Sequence, residues 1–401
     1  MRYHKKKIPL QIWIIGISSA LITSSAAMFF GVFGLFLDSK GASKADIGLI
    51  EGGIEGLGYI LKIASGIVSD YLKKRKLIFA IGSFCSEISK LIAALFVSST
   101  SVIVGRIIDR IGNGIQATPR DAFVGDYAPK SLRGTCFGLR QSLGTIGSIL
   151  GVLVISYLLR HFNNNFRLIF IAASIPAAIA FVVILFFVHD ANISYEEAEN
   201  AAKSKRKALK FSPKDTLYLD KSFWMLMIVV AVFMLSRMSE TLIILYGKNT
   251  FNLTNDIATN TMLVYNIFAA IAAYCSGRLI DRFNSVHVMM YGTFITILSN
   301  VIMAISTNYI LFLCGVVFWG VQIGLMQNVF CAKIAAIVHP DFRGTGFGVF
   351  YLITAISLML ANTISGQLIS KGIYLFIYGA TISTFSSCII ILFKNKRLLS
   401  T

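Results

Sequence analysis

The chain has 401 residues, of which 56% are hydrophobic and 14% are charged. Soluble domains carry charges on about a quarter of their residues, so this chain is too apolar for a soluble globule and needs lipid around it. The net charge of +18 would favour nucleic-acid binding in a soluble protein, but the cations of this chain follow a membrane pattern.

Apolar stretches of membrane-crossing length recur from one end of the chain to the other. A transmembrane helix needs about 20 mostly apolar residues. The sequence therefore predicts an all-α polytopic membrane protein with twelve transmembrane helices. In chain order the predicted spans are 11–37, 46–69, 77–98, 100–118, 136–159, 166–188, 222–247, 257–280, 286–306, 309–332, 345–370 and 373–393.

Basic residues cluster before span 1, between spans 2 and 3, between spans 6 and 7 and after span 12. The loops on the other side, such as Ser98–Ser101 and Ser306–Asn308, are short and nearly neutral. Because Lys and Arg are enriched in cytoplasmic loops, both termini are expected in the cytoplasm and the protein in the plasma (inner) membrane. The basic excess can then contact anionic lipid, and no nucleic-acid partner is expected.

The longest hydrophilic segment, 189–221, separates two halves of similar length. We predict an N-terminal six-helix bundle over residues 1–188, a cytoplasmic linker over 189–221 and a C-terminal six-helix bundle over 222–401. The polar part of the linker, at 194–210, could form a surface helix.

Two short sequence pieces recur at an almost constant offset. Gly66–Tyr71 is matched by Gly277–Arg282, and Arg133–Gly138 is matched by Arg343–Gly348. Each half has an even number of spans, so both halves have the same orientation. The sequence therefore predicts a parallel repeat about an axis along the membrane normal, as in transporters with a central site.

The repeated Gly-x-x-x-Asp pieces, the basic cluster at 73–76, the twelve spans and the basic middle segment together resemble the major facilitator superfamily. The resemblance covers essentially the whole chain and points to a bacterial subgroup without assigning a substrate. It implies a secondary active transporter that works by alternating access, with a gating role for the repeated signature. The gating residues in this chain are then Gly66, Asp70, Arg75, Gly277, Asp281 and Arg282.

Ionisable side chains at membrane depth cost about 2.5–3.5 kcal/mol each, so they are usually functional or paired. Span 2 carries Glu51, Glu55 and Lys62 at a spacing that places all three on one helical face. Opposite charges from spans 2, 3 and 4 are expected at one level near the midplane. The residues expected to form the substrate or proton pathway are Glu55, Asp109, Arg106, Arg110, Glu51, Lys62, Glu87, Lys90, Arg140, Gln141, Asn113, Arg237 and Glu240.

Two carboxyl groups are candidates for reversible protonation, Glu55 first and Asp109 second. Burial favours the neutral form of a carboxyl group, whereas a neighbouring cation favours the charged form. A group between these two influences can couple proton release to a conformational change. Glu87 and Lys90 are instead interpreted as part of an ion-pair network that holds the first bundle together. Span 4 lines the cavity in the family that the chain resembles.

The predicted function is proton-coupled secondary transport of a small polar or amphiphilic organic solute that carries its own charge. Arg237 and Glu240 of span 7 could meet this solute. Drug or siderophore export and metabolite import both stay open, as do symport and antiport. The alternative is a non-transporting membrane receptor or assembly partner on the same fold.

Other function classes have less support in the sequence. No nucleophile and base pair stands out, so an enzyme is not expected. The sequence lacks a phosphate-cradling Gly-rich loop, and its Cys and His residues lack metal-ligand spacing. We therefore expect no cofactor and no metal, and we expect a monomer whose partners are the solute, protons and membrane lipid.

Overall fold

The computed structural model describes residues 8–72, 75–129, 133–189, 220–338 and 343–395. Helices α1 to α6 are Leu10–Ser39, Lys44–Leu72, Arg75–Phe96, Ser99–Tyr127, Arg133–His161 and Phe166–Phe187. Helices α7 to α13 are Lys221–Leu235, Glu240–Thr250, Asn255–Arg282, Ser285–Ala304, Tyr309–Ile337, Arg343–Leu368 and Tyr374–Asn395. Together α7 and α8 form predicted span 7, so these helices account for all twelve predicted spans.

The predicted all-α membrane architecture is confirmed by the lengths and compositions of the helices. Over the described residues, ten helical segments are long and apolar enough to cross a membrane. Helices α2 and α4 are not among the ten, although each has 29 residues, because charged side chains interrupt their apolar stretches. Helix α4 also continues through Pro119 to Tyr127, beyond the predicted end at residue 118, after which Pro119, Arg120 and Asp121 interrupt the apolar sequence.

The backbone contacts divide the chain into two compact units. Unit 1 contains the described residues of 1–40 and 60–193, and unit 2 contains those of 41–59 and 194–401. The first half of α2 therefore packs in unit 2, where Gly48 and Gly52 face Asn362 and Met359 of α12. Most of the predicted linker at 189–221, with its expected surface helix, lies outside the described residues, so the division at this linker stays a prediction.

The internal repeat appears in the packing of the helices. In unit 1, α1 packs against α5 and α6, while α3 packs against α4 and α6. In unit 2, α7 packs against α12 and α13, while α10 packs against α11 and α13. The repeated sequence pieces also occupy equivalent positions, since Asp70 and Asp281 lie in the last turns of α2 and α9, and Arg133 and Arg343 begin α5 and α12.

Glycines allow α5 to lie directly against α1. The space at Gly147 is filled by the backbone of Ala20, so a Cβ atom at this position would overlap the Ala20 carbonyl group. The Thr23 hydroxyl donates a hydrogen bond of 2.6 Å to the carbonyl oxygen of Gly144. Small residues let two membrane helices approach closely, which explains why these two helices form a tight pair.

Span 7 is interrupted in its middle, between the end of α7 at Leu235 and the start of α8 at Glu240. The Ser239 hydroxyl caps α8 by accepting from the Leu242 amide at 3.3 Å. The Tyr378 hydroxyl of α13 donates to the Leu235 carbonyl at 2.9 Å. Backbone groups freed inside a membrane need such partners, so the break is a stabilised feature of unit 2.

Candidate functional site

An ion cluster, defined as Ser86, Lys90, Arg106 and Asp109, lies in unit 1 between α3 and α4. The Asp109 carboxylate pairs with the Lys90 ammonium, and Nη1 of Arg106 lies 3.3 Å from its other oxygen. The Ser86 hydroxyl donates to Asp109 at 2.8 Å and accepts from Lys90 Nζ at 2.6 Å. The three charged side chains have no solvent-exposed surface. Charges buried in this way need good pairing, because their transfer out of water is costly.

Aromatic rings of α1 cover the cations of this cluster. The Arg106 guanidinium carbon lies 4.5 Å from the centre of the Phe30 ring, and that of Arg110 lies 5.8 Å away. The Lys90 ammonium lies 5.7 Å from the centre of the Phe29 ring. Cations within about 6 Å of a ring centre are attracted to its face, so the cluster joins α1 to α3 and α4.

Three further predicted pathway residues lie at the margin of the ion cluster. Glu87, Arg110 and Asn113 are partly buried. The Gln116 amide donates to the Asn113 side-chain oxygen at 3.0 Å. With Glu87 and Arg110 included, three cations stand against two carboxylates in this part of unit 1, which therefore carries an excess of positive charge.

The structure separates the three charged residues predicted on one face of span 2. Glu51 is fully buried in unit 2, where it accepts a hydrogen bond of 3.3 Å from the Thr241 hydroxyl of α8. Glu55 is partly buried in the same unit, whereas Lys62 is exposed and belongs to unit 1. Glu51 and Glu55 thus contribute to unit 2 and not to the ion cluster.

A small cavity in unit 2 opens beside the break in span 7. The Tyr265 hydroxyl hydrogen-bonds to the Glu240 side chain, and the charges of Arg237 and Glu55 also act on Tyr265. The Tyr265 and Trp319 rings lie 5.0 Å apart between their centres. The free space between these walls is about 10 Å³, which is enough for about one water molecule. The cavity is lined by Glu240, Ile243, Ile244, Thr261, Met262, Tyr265, Val316 and Trp319.

Arg140 and Gln141, at the beginning of α5, lie apart from the ion cluster. The Arg140 guanidinium donates to the Gln141 side-chain oxygen at 3.1 Å. It also lies 3.4 Å from the Asp121 carboxylate of α4. The two predicted residues therefore belong to a second charged group of unit 1. Their estimated depth in the membrane did not distinguish this group from the ion cluster.

Of the predicted gating residues, Arg75 has a described ion pair. It begins α3 and pairs with the Asp126 carboxylate near the end of α4. The helix positions of the others are described, but their side chains lie outside the described part of the structure. These residues, all in the last two turns of α2 or α9, are Gly66, Asp70, Gly277, Asp281 and Arg282.

Asp126, Trp319 and Phe30 are among the contributors to these sites that were not predicted from the sequence. Asp126 was missed because it lies beyond the predicted end of span 4, although an acid near a basic loop was an available signal. Trp319 and Phe30 were missed because an aromatic residue within an apolar span gives no sign that it faces a charge. Their roles depend on which helices become neighbours.

Membrane-length helices whose packing repeats in two units, with ionisable groups enclosed inside each unit, define a polytopic transport protein. Residues 15–362 and 238–399 match the family model described as Major Facilitator Superfamily. The chain belongs to this superfamily. It is a secondary transporter rather than an enzyme.

Similar proteins agree with this assignment along the whole chain. An uncharacterised transporter of this superfamily from Methanocaldococcus jannaschii is 27% identical over 399 residues, covering 96% of this chain and 95% of the relative. A POT family transporter solved in complex with 5-aminolevulinic acid matches with a TM-score of 0.79 at 13% identity, covering 97% and 96% of the chains. A D-xylose-proton symporter matches with a TM-score of 0.72 at 13% identity, covering 94% and 96%. At such identities these structures show the fold.

Proposed function

We propose that this transporter moves a small polar or amphiphilic organic solute that carries its own charge, coupled to protons, by alternating access across the plasma membrane. The observation that carries the proposal is the Glu240 carboxylate hydrogen-bonded to Tyr265 beside a cavity, at a break in a membrane span. A carboxyl group in this position can bind and release a proton, and the adjacent space has room for the water molecule that would carry it.

The surroundings of the carboxylates favour Glu240 and Glu55 over Asp109 as proton carriers. Asp109 is fully buried and held by two cations, an arrangement that favours its permanently charged form. Glu240 and Glu55 are partly buried, and the charges of both carboxyl groups act on Tyr265, as does the charge of Arg237. We therefore assign proton transfer to Glu240, with Glu55 as the second candidate, and a structural role to Asp109.

The similar structures support this proposal by analogy. The D-xylose symporter is coupled to protons by its name, and the POT family transporter holds 5-aminolevulinic acid, a small charged solute. The shared architecture supports the proposal that this chain carries out proton-coupled transport. The ionisable side chains within the spans of this chain support a solute that carries its own charge.

The test uses purified protein in liposomes that contain a pH-sensitive dye. Amino acids, organic anions and cationic drugs are added one at a time under an imposed pH gradient, and solute-dependent proton movement identifies a transported compound. Glu240→Gln and Glu55→Gln are expected to abolish this movement. Asp46→Asn, at an exposed carboxylate in the first turn of α2, is the matched control and is expected to behave as the wild type. Unchanged proton movement in both glutamate variants would contradict the proposed coupling.

A further inference from the structure

Two arginines share a single carboxylate in unit 1, at some distance from the ion cluster. The Asp121 carboxylate of α4 lies 3.7 Å from Nε of Arg120 on the same helix and 3.4 Å from Nη2 of Arg140 on α5. The arginine side chains are only 15% and 13% exposed, whereas Asp121 is 49% exposed. We name Arg120, Asp121 and Arg140 the arginine pair site.

The arginine pair site has more hydrogen-bond donors than its carboxylate uses. The Nε groups of Arg120 and Arg140 are buried, and neither makes a hydrogen bond of 3.5 Å or less to an acceptor among the described residues. The distances to Asp121 are longer than an ordinary hydrogen bond between a guanidinium and a carboxylate. One partly exposed acid therefore balances two largely buried cations, and the group keeps a net positive charge.

The position of the arginine pair site suits a solute on its way through unit 1. Arg120 lies seven residues before the end of α4 and Arg140 seven residues after the start of α5, which places both about 10 Å inside the helix ends. Arg110, at the margin of the ion cluster, lies ten residues before Arg120, or about 15 Å along the same helix. The polar residues between them, Asn113 and Gln116, follow at helical spacing on that face.

We infer that the arginine pair site binds the anionic group of the transported solute, a carboxylate or a phosphonate. A planar guanidinium can donate two parallel hydrogen bonds to such a group. The anion takes the place of Asp121 between Arg120 and Arg140, and the exposed Asp121 side chain turns to solvent. This inference rests on the proposed function and specifies that the group of the solute bound here is negatively charged.

A purely structural role for Asp121 leads to a different expected effect of its substitution on anion binding. If Asp121 only joined α4 to α5, its removal would weaken the site in the same way as removal of either arginine. If Asp121 is instead the resident anion that a solute displaces, Asp121→Asn removes the competitor and strengthens anion binding. The three substitutions therefore separate the two roles by the direction of the effect.

The experiment is isothermal titration of the purified full chain in detergent with four probes of similar size. Benzoate and phenylphosphonate are expected to bind, whereas benzylammonium and benzyl alcohol are not. Loss of a charge-assisted hydrogen bond weakens binding by about tenfold or more, which is the change expected for Arg120→Gln and for Arg140→Gln. Arg160→Gln, at an exposed arginine near the other end of α5, is the matched control and should leave the affinity unchanged.

Several results would overturn the inference. Binding of benzylammonium in preference to benzoate would do so, as would weaker anion binding in Asp121→Asn. Displacement of phenylphosphonate by phosphatidylglycerol would also do so, because it would assign the site to a lipid headgroup. Proton-linked transport of a cation without anion binding would overturn the inference and leave the proposed function standing. Anion binding that depends on both arginines, without proton-linked flux of any bound anion, would support the inference and contradict the proposed function.

Discussion

Asp109 balances Lys90 and Arg106 at a place that solvent does not reach. We expect Asp109→Asn to leave these two cations buried without their counter-charge. Removing one partner of a buried ion pair costs about 3–5 kcal/mol, so the variant should unfold at a clearly lower temperature in detergent. The thermal unfolding midpoint of the purified protein measures this effect.

The control for this prediction is again Asp46→Asn, which neutralises an exposed acid on α2. Replacing Lys90 by Met together with Asp109→Asn should recover part of the lost stability, because the double variant buries fewer unbalanced charges. An Asp109→Asn protein as stable as the control would show that the ion cluster contributes little to the fold.

At the level of single residues, the sequence predicted which charges lie in the membrane but not all of their partners. Glu87 and Lys90 are three residues apart, so a pattern on one helix suggests that they pair. The structure pairs Lys90 with Asp109 of the next helix. This contact depends on the close approach of α3 and α4, where Gly82 faces Gly112, and the spacing within one helix holds no information about that approach.

At the level of helices, the α1–α5 pair depends on Gly147. We expect Gly147→Ala to destabilise the protein by about 1–3 kcal/mol, as overpacked cores are, because the added Cβ would overlap the Ala20 carbonyl group. The midpoint of thermal unfolding in detergent again measures the change.

Gly138 provides the matched control for this substitution. It lies on the same helix and is exposed, and a Cβ atom added to it would have no neighbouring atom within 4 Å. Gly138→Ala should therefore keep the wild-type stability or raise it slightly, since alanine favours helix. Equal destabilisation by the two substitutions would show that helix propensity, rather than contact with α1, determines the effect.

The break in span 7 shows the limit of helix prediction from this sequence. The stretch from Lys221 to Tyr246 contains neither proline nor glycine and reads as one apolar helix. The interruption depends on partners from elsewhere in unit 2, including the Tyr378 hydroxyl on the Leu235 carbonyl. The polar run Ser236–Glu240 was the available signal, and it was interpreted as a charged pair within a continuous span.

At the level of the whole molecule, the repeat could be predicted because two short pieces recur with a fixed offset and at the same helix positions. The boundary between the two compact units, which lies inside α2, could not be predicted from the sequence. It depends on contacts of residues 41–59 with α12. Hydropathy identifies a span by its length and composition, so it assigns a helix as a whole and cannot divide it between two neighbours.

The predicted orientation follows from the cations and can be tested with the repeat. Thr100 and Thr307 lie at equivalent places, near the connections after α3 and after α10, and both are exposed. In a parallel repeat they lie on the same side of the membrane, which the positive-inside rule makes the outside. In a background with all six cysteines replaced, Thr100→Cys and Thr307→Cys should both react with a membrane-impermeant maleimide in intact cells.

Phe283, between α9 and α10, provides the opposite control, since one span separates it from Thr307. Phe283→Cys should react only after the cells are opened, because that loop is predicted to be cytoplasmic. Labelling of Thr100→Cys without Thr307→Cys would contradict the parallel repeat, because an inverted repeat places equivalent loops on opposite sides. Labelling of Phe283→Cys alone in intact cells would keep the repeat and reverse the orientation, so the experiment tests the symmetry of the two halves separately from their direction.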